Sequence, residues 1–268
     1  MSAIGRGSGP LGSGQVLFRT VDAYERFMGR YSWPLAHEFA RAAGVAAGER
    51  IVDVGCGTGA LTTVLAELVG PDLVAAVDPS EPFVQECRAR VPGADVRVGP
   101  AEALPFGDGT FDRALAQLVF HFVDGPAAAA AEMMRVTRSG GTVAACVWDF
   151  TGGMTMLRAY WDAAREVDSN APDEMERFGG RPGQLAALWR EVGLRDVADG
   201  SLGVSSHYDD FEELWQSFLG GAGPVGAHAA SLDEAGRQAV RGALRLRLGS
   251  PSGPFELTAR AWYATGVV

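Results

Sequence analysis

The chain has 268 residues, 47% of them apolar and 21% charged, which suits one α/β domain with insertions, or a core plus a small cap, and excludes a globally disordered polymer. Three widely spread cysteines (Cys56, Cys87, Cys146) and 23 basic residues that are all arginine exclude a disulfide framework, a paired-cysteine zinc site, a Schiff-base lysine and a Walker-A lysine. A net charge of −10 argues against nucleic acid as a partner, because phosphate contacts need a basic face.

Residues 1–14, MSAIGRGSGPLGSG, are rich in glycine and serine, have no periodicity and read as a flexible tail. Tyr24, Phe27, Met28 and Tyr31, then Leu35 and Phe39, have helical spacing. Pro34 suits the first turn of a second helix, so residues 15–45 are expected to form an N-terminal cap of two short helices. From residue 46 onward strands and helices alternate. Strands are expected at 49–55, 72–78, 94–101, 111–118 and 142–150, with helices at 60–70, 82–91 and 125–138. Beyond 150 come helices at 154–168, 182–193 and 211–219 and a sixth strand within 196–208. A helix at 231–249, with Ser231 as N-cap and Glu234 completing a capping box, precedes a last strand at 255–266. Apolar strands separated by helices predict a Rossmann-like, doubly wound α/β fold. Its seven-stranded sheet should be mostly parallel with the last strand antiparallel, and the 46–268 domain should carry further cap insertions around 151–180 and 209–250. No apolar run reaches the roughly 18–20 residues that span a bilayer, and no secretory segment opens the chain. We therefore expect no membrane partner and a cytoplasmic location; monomer and homodimer both stay open.

The informative segment is IVDVGCGTGALT, residues 51–62, where an apolar strand runs through Gly55, Gly57 and Gly59 directly into a helix. Glycines there let the backbone turn sharply and approach a ligand, and the helix N-terminus favours a carboxylate or phosphate. The second strand ends in Asp78, about 20 residues on, well placed for the two hydroxyls of a ribose. Asp53 is an acid inside an apolar strand and is costly there unless it meets a cation or donor. A pyrophosphate beside it would be repelled and an ammonium welcomed. The ligand therefore combines a ribose with a zwitterionic tail and no phosphate.

DVGCGTGALT, VDPS at 77–80, GPAEALPF at 99–106 and RSGGTV at 138–143 resemble the ordered motifs of class I S-adenosylmethionine-dependent methyltransferases, and YERFMGRYS at 24–32 resembles the cap of their small-molecule branch. The resemblance implies S-adenosylmethionine as cofactor and transfer of its methyl group to an oxygen, nitrogen or carbon of a small molecule. It implies that the loop of Gly55, Gly57, Thr58 and Gly59 passes under the methionine part, with Asp53 near the ammonium. Asp78 would hold the ribose, Pro79 and Ser80 would border the adenine, and Ala101 and Glu102 would meet its edge. Gln117 would line the methionine site through its backbone, while Tyr24 lines the site from the cap and Arg30 pairs with the cofactor carboxylate or stays on the surface. Pro100 departs from the pattern, since relatives often carry Asp there; either Glu102 takes over the amino contact or backbone and packing hold the ring.

His121, in QLVFHFVD after the fourth strand, is the candidate general base, with packing on the cofactor as its other reading and His207 as the next candidate. Trp148 and Asp149 are expected on the same rim. Tyr160, Trp161 and Trp215 would line an apolar acceptor pocket or fill the cap core. No metal is implied. Two other functions stay open: a protein that binds S-adenosylmethionine in a scaffold or non-transfer role, and a nicotinamide-dependent oxidoreductase, which Asp53 and the missing lysine disfavour.

Overall fold

Helix α1 (Val21–Tyr24) passes through a π-helical turn, Glu25–Gly29, straight into α2 (Arg30–Ala42). The computed structural model describes residues 21–268; the expected tail at 1–14 and the first residues of the expected cap lie outside them. The break expected at Pro34 does not occur, and the cap helix is one continuous rod. Gly29 and Arg30 keep helical dihedrals (φ −52°, ψ −42° and φ −57°, ψ −21°). The widened turn just upstream accommodates the proline ring and its missing N–H, and Ser32 Oγ donates to the Gly29 carbonyl at 3.3 Å.

The core is a seven-stranded sheet. Strands β1 (Ile51–Val54), β2 (Val74–Asp78), β3 (Asp95–Val98), β4 (Phe111–Gln117) and β5 (Thr137–Trp148) run parallel. The last, β7 (Phe255–Val267), lies antiparallel between β5 and β6 (Arg195–Tyr208), giving the order β3-β2-β1-β4-β5-β7-β6. Every residue of β1 and β2 is buried, as continuous apolar strands covered on both faces require. The helices α3 (Ala60–Val69), α4 (Glu81–Arg90) and α5 (Pro126–Val136) make the crossovers. In the insertions, α6 (Thr155–Val167) packs on α10 (Glu234–Arg247), and α7 (Gln184–Glu191) packs on β6 and β7. Helix α8 (Phe211–Leu219) is followed by α9 (Gly223–Ser231).

The sequence reading missed α9, although Pro224 in its first turn and the buried Val225 and Ala229 are its signals. Ser231 therefore ends one helix instead of starting the next, and its hydroxyl donates back to the His228 carbonyl at 2.7 Å. The N-cap of α10 is Asp233, whose carboxylate accepts from Gly236 N–H at 2.7 Å. An anionic cap at the positive helix end outcompetes the hydroxyl two residues earlier. No described helix is long and apolar enough to cross a membrane.

Candidate active site

The strand order reverses at β1, which pairs with β2 on one side and β4 on the other, and a crevice opens beyond the C-terminal ends of these strands. Gly55 (φ +76°), Gly57 (φ +53°) and Gly59 (φ +95°) all occupy the left-handed region. A Cβ on Gly55 would lie 2.3 Å from Val119 Cγ2, so only glycine fits between the two segments; at Gly57 nothing lies within 4 Å. Asp78, at the end of β2, braces this loop by accepting from Gly57 N–H at 3.0 Å and Ser80 N–H at 2.8 Å. Its burial pushes its pKa upward, and the two N–H donors oppose that rise.

Asp53 sits between Ala76 and Leu115 in the sheet and is fully buried. Thr62 Oγ1 donates to its Oδ2 at 2.7 Å, while Oδ1 has no partner. Desolvation, with the nearby Asp78 charge adding to it, pushes its pKa up to about 7. The side chain of Gln117 repeats this half-satisfied pattern: Nε2 donates to the Ser32 carbonyl at 3.0 Å, and Oε1 is unpartnered. Both residues line a small cleft with Tyr24, Gly55, Gly57 and Thr58.

The cleft adjoins a cavity of about 870 Å³, with Tyr24, Gly55, Gly57 and Gln117 bordering both. That volume lies high in the range of small-molecule sites, about 300–1,000 Å³. Asp78, Pro79, Phe83, Ala101 and Glu102 line the cavity, as do His121, Phe122, Trp148, Phe150, Leu157 and Glu174. Leu118, also on the wall, adopts φ +63°, a conformation uncommon for a branched residue, and so bends the chain after β4 toward His121. The imidazole is nearly buried and packs on Phe122 and Phe150, with ring centroids 3.9 and 5.2 Å away. Burial first, and the Arg177 charge second, hold its pKa well below the usual histidine value. It is therefore neutral near pH 7.

A family model described as a methyltransferase domain matches residues 52–145. An uncharacterized methyltransferase of Mycobacterium tuberculosis is 42% identical over 129 residues, 48% of this chain and 50% of that protein, so the match spans about half the length of that relative. A demethylmenaquinone methyltransferase of Beutenbergia cavernae is 33% identical over 177 residues, covering 59% of this chain and 73% of the relative. The chain belongs to the class I S-adenosylmethionine-dependent methyltransferases. A crystal structure from Bacillus halodurans covers 87% of this methyltransferase and 97% of its own chain, with a TM-score of 0.57 at 16% identity, a likeness of fold alone.

The methyltransferase fold brings most of the expected site residues together. Tyr24, Gly55, Gly57, Asp78, Pro79, Ala101, Glu102, Gln117 and His121 line the cavity, and Asp53 and Thr58 line the adjoining cleft. Gly59 lies behind the loop, where a Cβ would approach Cys87 Sγ at 3.1 Å. Arg30 does not reach either space. It stands two residues beyond Met28, on another side of the helix, where it pairs with the Glu213 carboxylate and covers the Tyr208 ring at 4.0 Å. Asp149 is also withdrawn from the rim: it is fully buried and held as a carboxylate by Thr151 and Arg260. Tyr160, Trp161 and Trp215 fill the cap core. His207 is exposed beside Asp209, 3.4 Å away, and lines neither space.

Two acids escaped the sequence reading. Glu25 ties the cap to the glycine loop by accepting from Thr58 Oγ1 at 2.5 Å and to the end of α4 by accepting from Arg90 at 2.8 Å, and within the cap it accepts from Trp33 Nε1 at 3.1 Å. Glu174 lies in the irregular segment after α6, buried on the cavity wall. Neither carries a local spacing that marks it; its partners are more than 30 residues away for Thr58 and, for Trp161, in a helix whose orientation only the fold defines.

Proposed function

We propose that this enzyme holds S-adenosylmethionine in the cleft and cavity above β1, β2 and β4, and transfers its methyl group to an oxygen, nitrogen or carbon of a small molecule. The observation that carries this reading is the pair of buried, unpartnered acceptors, Asp53 Oδ1 and Gln117 Oε1, beside the glycine turn. Buried acceptors are normally satisfied, and a ligand ammonium supplies the N–H donors they lack. The cofactor fits this set of acceptors: Asp53 and Gln117 would take its ammonium, Asp78 its ribose hydroxyls, and Pro79, Ala101 and Glu102 would border its adenine. A pyrophosphate-bearing dinucleotide would meet Asp53 without a compensating cation, which disfavours a nicotinamide cofactor. The relative named for demethylmenaquinone supports a small-molecule acceptor.

When bound, the cofactor supplies an electrophilic methyl group on a sulfonium that departs as a neutral thioether. The protein's contribution is then alignment and exclusion of water. His121, neutral and on the cavity wall, would accept the proton of an un-ionised acceptor. Titration calorimetry with S-adenosylmethionine, S-adenosylhomocysteine and NAD tests the reading. Binding of the first two and not the third is expected; binding of NAD alone overturns it. Cofactor binding without release of S-adenosylhomocysteine in the presence of any acceptor would favour a scaffold role.

A further inference from the structure

The three cysteines are far apart in the chain, yet the fold sets two of them together beside the glycine turn. Cys56 stands between Gly55 and Gly57, and Cys87 lies on α4; with Ala76, Val84 and Val96 they form a small buried cluster of their own. Cys87 abuts the turn. A Cβ on Gly59 would lie 3.1 Å from its Sγ and 3.4 Å from its Cα, and Gly59 N–H donates to the Cys56 carbonyl at 2.9 Å. The two thiols hydrogen-bond to each other. That bond holds the Cys87 thiol below its ordinary pKa, against burial, and the same bond together with burial raises Cys56. Cys146 is fully buried in β5 and belongs to the main core.

Two features tie the pair to the ligand site. Cys56 lines the cleft beside Asp53 and Gln117, whereas Cys87 is wholly buried, so Cys56 is the one that a small oxidant meets. Cys87 Sγ lies 3.5 Å from Thr62 Oγ1, the hydroxyl that donates to Asp53 Oδ2. A disulfide holds its sulfurs at about 2.05 Å, well inside the separation of two thiols in contact, so closing one draws α4 and the glycine turn together. The turn has no slack to absorb this. Gly55 is wedged against Val119, Gly59 lies against Cys87, and Gly57 N–H is held by Asp78.

Building on the cofactor-site reading above, we propose that Cys56 and Cys87 form a reversible disulfide when the enzyme meets a peroxide, that this disulfide shuts the cofactor site, and that bound cofactor protects the pair. Cys87 takes the Cys56 proton along their bond, and the Cys56 sulfur attacks one peroxide oxygen. The O–O bond breaks, hydroxide leaves, and Cys56 becomes a sulfenic acid. The Cys87 sulfur then displaces the sulfenic hydroxyl, which departs with the Cys87 proton as water, and the S–S bond forms. The two sulfurs together give up two electrons, and the peroxide takes both. A dithiol reverses the oxidation.

The test treats the full, reduced chain with hydrogen peroxide at pH 8 and digests it with trypsin. No arginine or lysine separates the two cysteines, so both fall in one peptide, residues 51–88. Mass spectrometry should show that peptide losing two hydrogens without gaining oxygen, while Cys146 stays a thiol. Calorimetry of the oxidised protein should show S-adenosylhomocysteine bound at least tenfold more weakly, with recovery after dithiothreitol. Saturating S-adenosylhomocysteine beforehand should slow the oxidation at least fivefold, as reciprocal linkage requires. In Cys87→Ala the loss of two hydrogens should vanish, and Cys56 should take up oxygen instead. Recovery of both wild-type cysteines as thiols or as oxygen-bearing acids, or a disulfide that leaves the affinity unchanged, overturns the proposal. Failure of the reduced protein to bind S-adenosylhomocysteine, with the disulfide still forming, would instead overturn the reading of the cofactor site.

Discussion

Thr62 satisfies one oxygen of the fully buried Asp53 carboxyl, at 2.7 Å, and leaves the other bare. Desolvation dominates that site and lifts the carboxyl to about pH 7, so in the free enzyme it carries a proton at pH 6 and is ionised at pH 8. If a ligand ammonium pairs with the ionised form, cofactor binding must expel a proton below pH 7. Affinity is then expected to fall about tenfold per pH unit as pH drops below 7 and to level off above it. Calorimetry in buffers of differing ionisation enthalpy checks this; a flat profile from pH 5.5 to 8 contradicts the ammonium assignment.

The same carboxyl weakens the fold. An acid whose pKa is raised on folding costs nothing below its unfolded value near 4, costs progressively more between there and 7, and costs its full amount above 7, here on the order of 4 kcal/mol. Asp53→Asn should accordingly raise the Tm of the ligand-free enzyme at pH 8 while weakening S-adenosylmethionine by 100-fold or more. Thermal denaturation at pH 8 and pH 4.5 separates the two effects, because the gain should vanish at the lower pH.

If Asp78 accepts the ribose hydroxyls, Asp78→Ala is expected to weaken cofactor binding by about 2–4 kcal/mol, the scale of charged hydrogen bonds. The structure adds a second consequence, because Gly57 N–H and Ser80 N–H lose their shared acceptor. Amide exchange of the 55–59 loop should therefore accelerate in the variant even without ligand. Asp78→Asn, which keeps an acceptor oxygen, should restore slow exchange without restoring full affinity.

His121→Asn should lower turnover about 100-fold with cofactor affinity nearly unchanged if the imidazole takes the acceptor's proton. Because burial and Arg177 hold its pKa well down, the acid limb of the rate profile belongs below pH 6.5 and not at it. A limb centred at 6.5 that survives the substitution would assign proton removal elsewhere.

Glu25→Ala cuts the cap from Thr58 and Arg90 and removes its internal bond to Trp33. These groups are partly exposed, so the global loss should be modest, about 1 kcal/mol or less, whereas hydrogen exchange across residues 21–33 should rise strongly. A variant with unchanged exchange there would show that packing by Phe27 and Met28 alone seats the helix.

The parallel core and the glycine turn were legible because both rest on local signals: β1 and β2 are continuous apolar runs, and Gly55 sits where a strand becomes a helix. Asp53 and Asp78 could be read from their register in those strands. The cap was legible only in outline. A proline forecasts a break, yet the widened turn at Glu25–Gly29 lets Arg30 and Pro34 continue one rod, and that rotation carries Arg30 to Glu213. Glu174 and Arg177 were hidden for another reason: their meaning lies in Trp161, His121 and Phe122, partners that only the packed chain supplies.

Gly55 and Val119 are packed so closely that no side-chain atom fits between them. One belongs to the glycine loop, the other to the segment that carries His121. A displacement of either segment is thus felt by the other, and ligands held by the two are expected to be linked. By whatever factor the cofactor alters the acceptor's affinity, the acceptor must alter the cofactor's by the same factor. Widening that contact, as Val119→Ala would, should bring both ratios toward unity together, and the equality of the two changes can be read from four dissociation constants.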